Sequence, residues 1–199
     1  MNASGNIAGQ KIIIPGNSGA IETEYVYNDD NLKTEEIWHN PDGRVEKAVS
    51  DNEYIIHLAA ETGTGQSMYQ INRYNEVNIM GTSNLLQAIS NQGKDSSVKK
   101  IILSSSRSVY GEGKYNCPNC GIIYPKARDK ERMLKGDFNL YCPHCNAKLE
   151  LVATTEDSQI NPCSLYAYTK YAQENMLQTM CPAMNIDYTI FRFQNNILW

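Results

Sequence analysis

An α/β fold built on an incomplete, doubly wound parallel sheet is what the sequence predicts, and two observations carry that prediction. Apolar runs at 11–14, 53–58 and 99–104 lack polar alternation, as strands buried on both faces do, and 187–193 reads as a further strand. Two long stretches with helical spacing, 69–91 and 164–179, are long enough to cross from one parallel strand to the next.

The 199 residues, 41% hydrophobic and 20% charged, suit one ordinary domain with a buried core. No run reaches the ~20 apolar residues of a membrane span. The start, with Asn2, Ser4 and Asn6, lacks the basic-then-apolar profile of a secretory signal, so a cytoplasmic location and no membrane partner are expected. A net charge of −4 gives no general attraction for nucleic acid.

Taken in order, Lys11-Ile12-Ile13-Ile14 leads into a stretch with Gly16 and Gly19, two-thirds of a dinucleotide fingerprint. Such a strand-to-helix turn holds a pyrophosphate on its amides, but the third glycine position is Glu22, whose charge opposes phosphate. A second strand is expected at 24–27, only four residues after Gly19, too few for a crossover helix. Asp29 and Asp30 close that run, where an acid can bind a ribose or form a turn. Short helices are expected at 34–38 and 44–50 around a Pro/Asp/Gly turn.

The run at 54–60 reads as a buried strand ending in Leu58-Ala59-Ala60, small side chains that let a ligand approach the backbone, with His57 packed in the strand. Residues 61–66, with Thr62 among them, form a flexible loop at the sheet's carboxyl edge. Asn78 lies in the helix that follows, placed either in solvent or as a brace for the site. The strand at 99–104 empties into Ser104-Ser105-Ser106-Arg107, whose hydroxyls can hydrogen-bond a substrate alcohol or carbonyl.

Cys117, Cys120, Cys142 and Cys145 form two Cys-x-x-Cys pairs about twenty residues apart, the spacing of a closed four-thiolate zinc site, with rubredoxin-like iron, two disulfides or free thiols as the other readings. A filled shell of this kind supports folding and leaves no open position for chemistry. Cys163 and Cys181 are left over, expected as buried, inert thiols. Tyr166 and Lys170 then stand four residues apart on one helix face, where an ammonium beside a phenol favours the phenolate and makes Tyr166 a candidate acid/base.

In combination, residues 51–195 resemble the extended short-chain dehydrogenase/reductase family of nucleotide-sugar epimerases and dehydratases. The resemblance rests on His57-Leu58-Ala59-Ala60, Val77-Asn78 with Gly81-Thr82, Ser104-Ser105-Ser106 with Val109-Tyr110-Gly111, Tyr166 with Lys170, and Phe191-Arg192-Phe193-Gln194-Asn195, all in the family's order. It implies a Rossmann-like domain with NAD as cofactor. The residues it places around NAD are Gly16, Gly19, Asp29, Leu58, Ala59, Ala60, Asn78, Ser104, Ser105, Tyr166, Lys170 and Phe193. It further implies a dTDP- or UDP-linked sugar contacted by Thr62, Ser106, Arg107 and Asn195. Tyr166 would be the base at the sugar 4-hydroxyl, Ser106 would share a hydrogen bond with that hydroxyl, and Lys170 would hold the nicotinamide ribose. The dehydratase branch carries Asp-Glu where this chain has Arg107-Ser108, which favours the 4-epimerase branch.

The organisation expected is a partial dinucleotide-binding domain over 1–113 and 151–199, a zinc ribbon over 114–150, a missing C-terminal substrate lobe, and a homodimer through the 69–91 and 164–179 helices. With the fingerprint altered and the lobe missing, weak NAD binding and little turnover are expected. A UDP-hexose epimerase, a sugar dehydratase, a non-catalytic scaffold keeping the zinc ribbon and a zinc-ribbon interaction module stay open as alternatives.

Overall fold

The computed structural model describes residues 12–16, 19–27, 33–38, 49–50 and 52–194. Three parallel strands form its organising layer: β4 (Tyr54–His57), β5 (Lys100–Ser106) and β9 (Asp187–Phe193). Their register pairs His57 with Leu103 and Leu103 with Ile190, so the carboxyl ends of all three open at the same edge. Beside β4 lie β1 (Ile12–Gly16), β2 (Gly19–Tyr27) and β3 (Lys33–Trp38), joined antiparallel, and the sheet order runs β1-β2-β4-β5-β9 with β3 on β2.

The N-terminal segment corrects two expectations. Gly16 pairs with Gly19 across an antiparallel hairpin, so the anticipated strand-to-helix phosphate turn is not formed there. Ile21, Thr23, Tyr25 and Tyr27 alternate with Glu22 and Glu24, a period-two pattern that favours continuing as a strand over starting a helix. The stretch expected as a helix at 34–38 is strand β3, whose Thr34, Ile37 and Trp38 suit a ladder with β2 better than five residues suit an isolated helix. Of the helix expected at 44–50, Val49 and Ser50 are helical and 44–48 lie outside the described residues, as do Asp29 and Asn195.

After β4 come α1 (Thr64–Ser67), α2 (Ile71–Tyr74), a π-helical stretch (Asn75–Met80) and α3 (Gly81–Gln92). The second crossover is α5 (Leu165–Ala183). Its start is fixed by Ser164, extended at φ −146°, whose hydroxyl accepts from the Ala167 N–H at 3.1 Å. Both helices pack one apolar face on the parallel strands. Leu85, Leu86 and Ile89 of α3 meet Leu177 and Cys181 of α5 over Ile55, Ile101 and Leu103. At roughly 1.5–3 kcal/mol per fully buried large aliphatic, this cluster is the main source of stability. Burial pushes the Cys181 thiol up to about 11. Cys163, expected to be buried as well, is exposed, because it precedes the helix on the segment bordering the cleft.

Between β5 and α5 sits a small separate sheet of β6 (Tyr115–Cys117), β7 (Gly121–Ile123) and β8 (Glu150–Leu151), ordered β7-β6-β8, with α4 (Lys130–Leu134) on its connection. Among the described residues no helix is long and apolar enough to cross a membrane.

Candidate functional site

At the carboxyl edge of the parallel strands the structure opens a cleft of about 1020 Å³. Thr62, Ser106, Arg107, Tyr166 and Phe193 all line it, so five residues expected at the site are brought together from four separate segments. Ser106 ends β5 and caps the 3₁₀ turn Arg107–Tyr110, accepting from the Ser108 N–H at 3.2 Å. Tyr166 sits in the first turn of α5, where its N–H donates to Ser67 Oγ at 3.0 Å and its ring meets Tyr74 edge-on at 6.4 Å. Tyr74 in turn donates to the carbonyls of Thr62 at 2.6 Å and Gly63 at 3.0 Å, which fixes the loop opposite Ser106. Burial first, then the nearby Glu61 carboxylate, raises the Tyr74 pKa and keeps it a donor.

Lys170 is 2% exposed, one turn beyond Tyr166. Its Nζ donates to the Ser104 carbonyl at 2.7 Å and to Gln173 Oε1 at 3.0 Å. Gln173 Nε2 donates onward to Thr82 Oγ1 at 2.7 Å, which donates to the Asn78 carbonyl at 2.7 Å. His57 Nε2 lies 2.8 Å from Thr82 Oγ1 and 3.3 Å from Gln173 Nε2, and so joins the same chain. The ammonium is thus bedded in a buried polar chain linking β4, β5, α3 and α5.

Asn78 is fully buried and braces the loop after β4: its Oδ1 accepts from the Glu61 N–H at 2.7 Å and its Nδ2 donates to Glu61 O at 3.1 Å and to Thr169 Oγ1 at 2.8 Å. Ala59 and Ala60 are buried at the end of β4, and with Leu58 and Ser104 they stand behind the cleft and do not line it. Ser105 points to the opposite face, where its hydroxyl donates to Glu174 Oε1 at 2.5 Å. Glu174, fully buried, is held by Arg192 Nη2 at 2.8 Å and Nε at 3.1 Å, and Arg192 Nη1 donates to Tyr110 Oη at 2.6 Å. Sequence reasoning gave no role to Gln173, Thr82, Glu174 or Ser67. Gln173 had a readable signal, three residues beyond Lys170 on the same helix face.

Gly111, at φ +61°, follows this turn, and a Cβ there would lie 2.2 Å from the Asn161 carbonyl oxygen and 2.9 Å from Cys163 Sγ. Gly111→Ala is expected to lower stability by about 1–3 kcal/mol, read by urea denaturation, because both the backbone region and the space exclude a side chain.

In the small sheet, the Sγ atoms of Cys117, Cys120, Cys142 and Cys145 all lie within 4.8 Å of one another. A tetrahedron with metal–sulfur bonds of about 2.3 Å has edges of about 3.8 Å, so four thiolates this close fit such an ion. Each pair closes on a tight turn: Cys117 pairs with Gly121, and Asn146, at φ +56°, donates its N–H to the Cys142 carbonyl at 2.9 Å. The Ala147 N–H and the neighbouring thiols pull the Cys145 pKa down to about 6, while hydrogen bonding to Cys145 and Cys142 pushes Cys120 up to about 12. A divalent ion held by the four would favour the thiolate at each.

Parallel strands joined by helical crossovers, with a cleft at their carboxyl edge, define a Rossmann-like class of fold, and the chain belongs to the NAD dependent epimerase/dehydratase family, which it matches over residues 22–129 and 142–197. The unmatched interval, 130–141, falls between the two cysteine pairs. Among curated relatives, the chain is 37% identical over 143 residues to the dTDP-L-rhamnose 4-epimerase of Burkholderia thailandensis, a stretch covering 72% of this chain and 38% of that one. Among solved structures, the UDP-glucuronic acid 4-epimerase of Bacillus cereus, in complex with UDP-glucuronic acid and NAD, superposes with a TM-score of 0.51 at 24% identity, covering 77% of this chain and 35% of that chain. A UDP-glucose 4-epimerase structure gives 0.54 at 24% identity, covering 87% and 41%. These likenesses establish the fold, and the chain spans well under half the length of each relative.

Proposed function

We propose that this chain carries the catalytic centre of an NAD-dependent nucleotide-sugar 4-epimerase acting on a dTDP- or UDP-linked sugar. The observation that carries the reading is the meeting of Ser106 and Tyr166 on one cleft, with Lys170 held against the Ser104 carbonyl. NAD, when bound, supplies the hydride acceptor and donor. Tyr166 takes the proton from the sugar 4-hydroxyl and returns it, and Ser106 Oγ holds that hydroxyl in line. Lys170 places a fixed positive charge near the phenol and the nicotinamide ribose, and Asn78 keeps the loop after β4 in position for Leu58, Ala59 and Ala60 to meet the cofactor. Ser104 and Phe193 complete the cofactor side and Thr62 and Arg107 face the sugar, while Ser105, bonded to Glu174, supports the strand from its other face.

Zinc is assigned to the four cysteines, in a ribbon of residues 114–150 set into a dinucleotide-binding domain of 1–113 and 151–199. A homodimer through the 69–91 and 164–179 helices is supported by exposed Ile71, Met80 and Tyr168, and a cytoplasmic setting by the thiol-rich metal site. No nucleic-acid partner is assigned.

A second reading, a scaffold without turnover, is favoured by the hairpin at Gly16 and Gly19, which offers no helix N-terminus to a pyrophosphate. Calorimetry with NAD separates the two. The 199-residue chain is expected to bind NAD weakly and to show little 4-epimerase turnover in a coupled assay on dTDP-L-rhamnose. Whatever turnover it has should fall ~10²–10⁴-fold in Tyr166→Phe. Turnover unchanged by that substitution would remove Tyr166 from the mechanism, and no NAD binding at any concentration would favour the scaffold.

A further inference from the structure

The small cysteine-bearing sheet does more than append to the fold, because part of its surface faces the cleft. Tyr115 of β6, Leu151 of β8, Val152 and Arg128 line the same cavity as Ser106 and Tyr166. Arg128 lies on the connection between the two cysteine pairs and reaches across to Glu112 of the main domain, its Nε and Nη2 donating to Glu112 Oε2 at 3.2 and 3.1 Å. Both bonds fall on one carboxylate oxygen. Ser108, in the same wall, has a buried Oγ without a hydrogen-bond partner.

An aromatic and two aliphatic side chains beside a guanidinium–carboxylate pair is the chemistry that recognises a hydroxylated ring, with apolar contact for its carbons and paired donors and acceptors for its hydroxyls. We propose that the four-cysteine module forms the far wall of the sugar subsite, and that the Glu112–Arg128 pair across the seam is a specificity element gripping ring hydroxyls. The inference rests on the 4-epimerase reading of the cleft and adds to it the residues that choose the sugar.

The wall depends on the metal site. The module's own core is Tyr115, Cys117, Leu140, Cys142 and Leu149, two of the five being thiol ligands. It is tied to the segment before α5 by Asn161 Nδ2, which donates to the Pro125 carbonyl at 3.0 Å. Metal loading at the cysteines therefore positions Tyr115 and Arg128 against the cleft.

Saturation-transfer NMR, which reads weak binding, tests this with dTDP-L-rhamnose and with dTDP alone on the zinc-loaded chain. Saturation of both thymine and sugar-ring protons is expected in the parent chain. Arg128→Ala and the shape-preserving Glu112→Gln should each reduce sugar saturation at least threefold relative to thymine, and chelation should do the same. Sugar saturation unchanged in both variants, or thymine saturated without the sugar in the parent chain, would overturn the wall while leaving the epimerase reading standing. No saturation of either group would overturn both.

Discussion

Chelating the zinc proposed for the four-cysteine module is expected to unfold residues 114–151 while the parallel-sheet core survives. Cys117 and Cys142 are 2% and 3% exposed, and the four Sγ atoms crowd within 4.8 Å. Apart from the thiols, the core is three buried side chains with Ile123 and Ala147 packed against them, far below what holds a unit of this size together. Structural zinc in such sites supplies about 10–16 kcal/mol of apparent binding energy, and with zinc at the proposed site that energy would be folding energy. Hydrogen exchange before and after chelation should lose protection across the module, with α3 and α5 keeping theirs because their cluster of Leu85, Ile89 and Leu177 is independent of it. Elemental analysis should find about one zinc per chain. A metal-free preparation with the module's protection intact would refute the assignment.

Glu174→Ala should be the most damaging single substitution in the main domain, costing about 3–5 kcal/mol by urea denaturation. Glu174 is fully buried, and removing its carboxylate strands Arg192, only 20% exposed at its side chain, along with the Ser105 hydroxyl. The charge left behind carries most of the penalty, so replacing both partners, Glu174→Met with Arg192→Met, should recover a large part of it. Because Arg192 also grips Tyr110 and the Glu156 carbonyl, the single variant should loosen the turn that presents Ser106. A loss under about 1 kcal/mol would mean the pair is solvated in solution.

The parallel strands and their helices were legible because a strand buried on both faces and an amphipathic crossover each leave an unmistakable pattern, as in 99–104 and 164–179. The cysteine spacing was legible for the same local reason. The N-terminal segment misled because glycines three residues apart serve a phosphate turn and a hairpin equally well, and the difference lay in the alternation from Ile21 to Tyr27. The supports of the site were hidden for another reason. Glu174 and Ser105 are 69 residues apart in sequence, and no local pattern announces that a helix glutamate will be buried against a strand serine and arginine. The cleft face of the cysteine module was likewise invisible, since Tyr115 and Arg128 acquire their meaning only from where β6 is set down.

The π stretch at Asn75–Met80 acts as a phase adjuster along the long crossover. A π turn holds one more residue than an α turn, and one residue is worth about 100° of rotation. The row before it, with Tyr74 bonded to the Thr62 and Gly63 carbonyls, and the row after it, with Thr82, Leu85, Leu86 and Ile89 on one face, are therefore aligned by separate settings on one rod. Dropping a single residue from 75–80 would restore an ordinary helix and, in doing so, turn one of those two rows out of alignment with its partners.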